Sequence, residues 1–295
     1  MTLSTAWADA ALAQAGPLAP SSRAQVAGVG EIAMTVSDAD RALAFYRDVL
    51  GARVVGEDED ASPATEALTG LFGAHVRTIH LRLGEERLAL MQFLSPRSRP
   101  IPQDQRSHDG GFQHVAIVVA DMDAGYAWLR AHHVGHVSSA PQTLPRWNTA
   151  AAGIRAFYFS DPDQHTLEII WFPPGKGDPR WQRQAATTPA KPAPITSPAQ
   201  LFLGIDHTAI GVADTDASLR LYRDALGLRV AGGSENYGTE QEHLNNVFGA
   251  HLRITTLRAP HGPGIELLQY LAPRDGRPVP ADLRPSDLLH WQTAL

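Results

Sequence analysis

The chain has 295 residues, 43% of them hydrophobic, enough to bury cores in about two domains. Its formal charge is −6 and no basic stripe is present, which speaks against a nucleic-acid or acidic-membrane partner. Cysteine is absent, so disulfides, thiolate nucleophiles and thiolate-bound metals are excluded, and any metal must use His, Glu, Asp or Gln.

Residues 1–26 read as a disordered or processed N-terminal tail. Ala13-Gln14-Ala15 has the small-x-small pattern of a cleavage site, yet no Lys or Arg precedes Arg23 and Asp9 interrupts the apolar run. A cytoplasmic location is therefore expected, with export the alternative if the tail is a degenerate signal segment. No stretch approaches the roughly 20 apolar residues that cross a bilayer.

Val29 to Val36 then predicts a strand, and Ser37-Asp38 a helix N-cap. Ala42, Leu43, Phe45, Tyr46, Val49 and Leu50 follow at helical spacing until Gly51. A strand begins at Arg53 and a short helix fits Pro63 to Phe72. Strands fit His75 to Leu83 and Arg87 to Leu94, turning at Gly84-Glu85-Glu86. The unit is β-α-β-β-β. Phe112 to Phe172 repeats the order: a strand to Val119, a helix from Asp121 to about His133, a strand over Val134 to Ser139, and strands Ile154 to Phe159 and Thr166 to Phe172 around the Asp161-Pro162-Asp163 turn. Residues 174–202, rich in proline, read as an extended linker. A third unit spans Leu203 to Leu271.

The units are copies. Tyr46-Arg47-Asp48-x-Leu50-Gly51 returns as Tyr222-Arg223-Asp224-x-Leu226-Gly227, and Phe72-Gly73-Ala74-His75 as Phe248-Gly249-Ala250-His251, each pair 176 positions apart. Asp287 to Leu295 resembles the first strand of the second unit, and a full fourth unit would need roughly 60 further residues, so the last domain is expected either to be truncated or to close its sheet in some other way.

Duplication brings chemical residues into register. Glu31, His114, His207 and His290 occupy one first-strand position, and both 31 to 114 and 207 to 290 span 83 positions. Glu168 and Glu266 occupy one last-strand position, where the first unit has Ala89. A carboxylate within a Leu/Ile strand is costly to bury without a partner, and a metal ion held by neutral His and carboxylate is a good one. The alternatives are an ordinary strand-end ion pair for Glu168, such as with Arg155, a core histidine for His114, and a solvated Glu31. Gln92 and Gln269 fall on the opposite strand face and read as structural. His75, His251, His132 and His133 read as surface or packing residues, and Trp147, Asn148 and the segment from Tyr237 to Asn246 as loops at a rim.

These units, the Tyr-Arg-Asp-x-Leu-Gly motif and Ser160-Asp161-Pro162-Asp163-Gln164-His165-Thr166-Leu167-Glu168 together resemble the vicinal oxygen chelate superfamily (glyoxalase, bleomycin resistance, extradiol dioxygenase). The resemblance implies an α+β fold of tandem βαβββ modules paired into cupped mixed sheets, forming two glyoxalase-like domains over 27–173 and 203–295. It implies that first- and last-strand ligands face each cup. The first cup would hold Glu31, His114 and Glu168, and the second His207, Glu266 and His290, around a divalent Fe, Mn, Ni, Zn or Co ion. The implied activity is that of a metal-dependent lyase or isomerase acting on a small vicinal-oxygen substrate through an enediolate-like intermediate, with Glu31 or Glu168 moving the proton. The alternatives are an extradiol-type dioxygenase and a metal-free small-molecule binding or resistance protein. A small-molecule substrate is the expected partner, with a homodimer as the possible assembly.

Overall fold

The computed structural model describes residues 26–111, 113–186 and 197–295. The expected tail up to residue 25, and 187–196 of the expected linker, lie outside the described residues.

The first module comprises β1 (Ile32–Val36), α1 (Ala39–Ala44), β2 (Arg53–Asp60), α2 (Pro63–Thr69), β3 (His75–Leu83) and β4 (Glu86–Ser95). The second comprises β5 (Gln113–Val119), α3 (Met122–Ala131), the short β6 (Gly135–His136) and β7 (Gln142–Thr143), β8 (Arg155–Ser160) and β9 (Thr166–Trp171). Then come α4 (Pro179–Ala186) and α5 (Pro198–Leu201). The third module comprises β10 (Phe202–Gly211), α6 (Thr215–Leu219), β11 (Arg229–Tyr237), α7 (Thr239–Asn245), β12 (His251–Arg258) and β13 (Gly264–Ala272), and β14 (Trp291–Thr293) starts the fourth.

Local chemistry explains the repeats. Asp38, Asp121 and Asp214 each cap the first helix of their module through the side-chain carboxylate. Gln92 and Gln269 accept a hydrogen bond from the first-turn amides of Ala39 and Thr215, at 3.0 and 3.1 Å, as befits structural residues. Gly51 and Gly227 take φ of 75° and 81° to end the helical segments.

The modules pair differently from the expected order. Module one forms a five-stranded sheet, β14-β1-β4-β3-β2, whereas modules two and three share one nine-stranded sheet through antiparallel pairing of β5 with β10. Modules one and two instead pack back to back. Ile32, Met34, Val36, Ile79, Leu81 and Leu88 meet Val115, Ile117, Phe157, Phe159, Leu167 and Ile169 in one core. Alternation then turns His114, Ala116 and Glu168 to the other face of the second sheet. The expected linker is partly structured too, since α4 lays buried Trp181 against that sheet.

Two crossing segments hold the arrangement. Arg99, after β4, donates from Nε and Nη2 to Asp287 at 2.9 and 2.5 Å, and from Nη1 to Asp282 at 2.6 Å. Arg277, after β13, donates from Nε and Nη2 to Asp109 at 3.1 and 2.7 Å, and from Nη1 to Asp104 at 2.9 Å. Each segment thus supplies the arginine for the other's aspartates. The Asp-Pro-Asp-Gln-His turn is a further junction: Asp161 accepts from buried Tyr46 Oη at 3.1 Å and lies 2.9 Å from His165 Nδ1. His165 Nε2 lies 2.9 Å from the Leu288 carbonyl.

Candidate metal centre

Four of the six predicted ligands converge in the cup of modules two and three. His114 on β5 and His207 on β10 come from the two paired first strands, and Glu168 on β9 and Glu266 on β13 from the strands flanking them. His114 Nε2 lies 3.3 Å from Glu168 Oε2. His207 Nε2 lies 3.6 Å from Glu168 Oε2 and 3.4 Å from Glu266 Oε2. Ligand atoms of His114, Glu168 and His207 all fall within 4.8 Å of one another. The first three are buried, and Glu266 keeps 20% of its side chain exposed towards the cavity.

The other two ligands are placed elsewhere, which corrects the expected division into two cups. Glu31 precedes β1 in the first sheet. Its carboxylate lies 2.9 and 3.0 Å from His80 Nδ1 and accepts from Arg87 Nε at 3.3 Å. His290 immediately precedes β14 of that same sheet, and burial pushes its pKa down. The physical cause is strand pairing: β1 meets β14, so neither residue can share a cup with His114 or His207. Glu31 therefore stands apart from the cup of His114 and His207, with an ion pair to His80 and Arg87.

His114, Glu168 and His207 form a group that could hold a divalent cation. Buried His207 Nε2 makes no hydrogen bond and faces two carboxylates. Imidazole and carboxylate together form the mixed donor set that Fe, Mn, Co, Ni and Zn accept. Without an ion, burial disfavours imidazolium at His207, but Glu266, Asp206 and Glu168 outweigh it and push the pKa up to about 9.

Surrounding residues absent from the sequence reading support the site. Asp206 lies 3.0 Å from His207 Nδ1 and is held by Arg258 Nη2 at 2.8 Å and Trp181 Nε1 at 2.7 Å. Burial opposes its charge, yet these partners hold its carboxyl below the usual range. Thr256 Oγ1 donates to Glu266 Oε1 at 2.7 Å. The Tyr158 ring lies 4.7 Å from that of His114, and burial, followed by Glu168 nearby, pushes the phenol well up, so it stays neutral. The signal for Asp206 was available, as it directly precedes His207. That for Trp181 was hidden in proline-rich sequence.

A cavity of about 600 Å³ opens over Glu168, His207 and Glu266, within the range of small-molecule sites. Apolar Leu144, Ile154, Ile170, Ile254 and Leu268 line it, together with Glu168, His207 and Glu266. The expected rim loop from Tyr237 to Asn246 is instead the end of β11 followed by α7. Beside the cavity, Trp147 stacks on Tyr237 with centroids 4.2 Å apart, and Asn148 Nδ2 donates to Asn236 Oδ1 at 2.7 Å. Helix α7 closes one side, with Ser138 Oγ donating to the Leu244 carbonyl at 2.6 Å. Among the described residues, no helix is long and apolar enough to cross a membrane.

Paired βαβββ modules around an inward-facing His/Glu set define a protein of the vicinal oxygen chelate type. The chain belongs to the Glyoxalase/Bleomycin resistance protein/Dioxygenase superfamily, whose model matches residues 28–169 and 204–277. It is 35% identical over 151 residues to a 2-epi-5-epi-valiolone epimerase of an Actinomyces species, covering 50% of this chain and 80% of that protein. It is 27% identical over 146 residues to the metallothiol transferase FosB of Staphylococcus epidermidis, covering 49% of this chain and 83% of that protein. Among solved structures, glyoxalase I from Zea mays shares the fold with a TM-score of 0.50 at 15% identity, covering 83% of this chain and 68% of that one.

Proposed function

We propose that this chain is a metal-dependent isomerase or lyase. It works in the cup of modules two and three on a small molecule carrying two neighbouring oxygens. The observation that carries this reading is the convergence of His114, Glu168, His207 and Glu266, with His207 Nε2 unbonded between carboxylates. His114, His207 and Glu168 would hold a divalent ion, with Glu266 at its edge. When bound, such an ion supplies Lewis acidity to a substrate oxygen.

The residues of the chain do the rest. Glu266 is the most open member, and Thr256 steadies its Oε1. It takes the proton from the carbon beside the substrate carbonyl and returns it, from the same or the opposite side, as an isomerase requires. The 2-epi-5-epi-valiolone epimerase relative supports proton-shuttling chemistry at one carbon. A second reading rests on His114, His207 and Glu168 alone, because two imidazoles and one carboxylate are also the set used by non-haem Fe(II) oxygenases.

Elemental analysis of gently purified protein and its variants tests the proposal. His114→Ala and His207→Ala should both lose the metal, whereas Glu31→Gln and His290→Ala should retain it. Glu266→Gln should retain metal but lower turnover by roughly 10²- to 10⁴-fold, with a 2-epi-5-epi-valiolone-type cyclic ketone as first substrate to try. Retention of metal in both cup histidine variants overturns the assignment. Iron content with oxygen uptake on catechols selects the dioxygenase reading instead.

A further inference from the structure

We propose that α4 is a strap whose Trp181, acting through Asp206, positions His207 for metal binding. The inference rests on the cup being the metal site. Asp206 is buried and its carboxylate can only accept hydrogen bonds, so the His207 nitrogen 3.0 Å from its Oδ2 must be the protonated Nδ1. That leaves Nε2 turned towards Glu168 and Glu266. Such an outer partner fixes both the tautomer and the ring orientation of a ligating imidazole.

The strap reaches Asp206 from the segment between the second and third modules. Trp181, also buried, donates Nε1–H to Asp206 Oδ1 at 2.7 Å, so the two carboxylate oxygens are held from opposite partners. Arg180, the preceding residue, stacks its guanidinium 4.0 Å from the Trp181 ring. It also donates to Glu86 Oε1 at 2.5 Å and to the Ile205 carbonyl at 3.0 Å. Glu86 belongs to β4 of the other sheet, and its Oε2 accepts from Ile205 N–H at 2.8 Å. A continuous line of contacts therefore runs from the first sheet through the strap to His207. Gly204 leaves room for it: a Cβ there would sit 2.6 Å from Glu86 Oε2 and 3.1 Å from Trp181 Cη2.

Calorimetric titration of the metal-stripped full chain with Zn(II) tests this, alongside NMR of the His207 Nδ1–H proton assigned by its loss in His207→Ala. Asp206→Asn should bind Zn(II) roughly 10- to 100-fold more weakly, and Trp181→Phe several-fold more weakly. In both, the Nδ1–H resonance should move upfield from its carboxylate-bonded position, which loss of packing alone would not produce. Unchanged Zn(II) affinity in Trp181→Phe, with an unmoved resonance, overturns the strap, and this variant decides the matter if Asp206→Asn does not fold. If the wild-type chain binds no divalent ion, the proposed function fails. The strap is then judged on the resonance alone: movement supports its positioning role and constancy refutes it.

Discussion

Arg277→Ala tests what holds module one against the shared sheet. The substitution removes two hydrogen bonds to Asp109, from Nε and Nη2, and two to Asp104, from Nη1 to the carboxylate and Nη2 to the carbonyl. The Asp104 carboxylate is 81% exposed, so water replaces that pair and its loss contributes little. Asp109 is only 6% exposed, and its remaining hydrogen bonds come from the Arg106 and Arg277 backbone amides. With Arg277 itself 41% exposed, losing the two charged bonds to Asp109 should cost about 2 kcal/mol, below the range for fully buried pairs. The expected total is about 2 kcal/mol, or a melting temperature lowered by roughly 3–4 °C in a chain of this size.

Reversible urea unfolding measures the loss. A double-mutant cycle with Asp109→Asn should return a coupling of about 1–2 kcal/mol. The pH dependence has a definite sign. Burial opposes the Asp109 charge, but Arg277 and the backbone amides outweigh it and hold the carboxyl below its ordinary value. Its stabilisation is therefore present above the unfolded value of about 3.9 and is lost as pH falls through the lower folded value. The Arg277→Ala penalty should be full at pH 6 and shrink in acid. A penalty under about 0.5 kcal/mol at pH 6, or one unchanged in the Asp109→Asn background, would refute the clamp.

In metal-free protein, His207 should stabilise the fold fully below about pH 6.5 and lose that contribution as pH rises through about 9. Urea titrations should show a slope between those values, on the order of 2–3 kcal/mol in total, that His207→Gln abolishes; parallel curves would contradict it. Tyr46→Phe removes a buried hydroxyl bonded to Asp161 and should cost about 1–2 kcal/mol. The repeat-equivalent Tyr222→Phe, at a half-buried site, should change stability by less than about 0.5 kcal/mol, and equal costs in thermal melts would show that Asp161 contributes nothing.

Much of the site was readable because strand periodicity constrains it. The repeat placed His114 and His207 at one first-strand position and Glu168 and Glu266 at one last-strand position. Alternation then required each pair to share a sheet face with its neighbours. Glu31 and His290 satisfy the same pattern but sit in the other sheet, where His80 and Arg87 take up the Glu31 charge. Neither His80 nor Trp181 could be assigned from spacing. His80 acts across β3 and β1, and Trp181 lies in a segment whose prolines obscure any period.

The sequence by itself determined the module: its βαβββ order, its aspartate caps, its glycine stops and the strand positions that carry imidazole or carboxylate. Those follow from local φ/ψ preferences and from a two-residue strand repeat, which act within a few residues. Only the tertiary structure decided which modules share a sheet. Every first strand offers the same kind of unpaired edge, so module one could meet module two or the start of module four equally well by pattern. Contacts made across the chain settle the choice: Arg99 on Asp287, Arg277 on Asp109, and His165 beside the Leu288 carbonyl. That choice brings His114, Glu168, His207 and Glu266 into one cup.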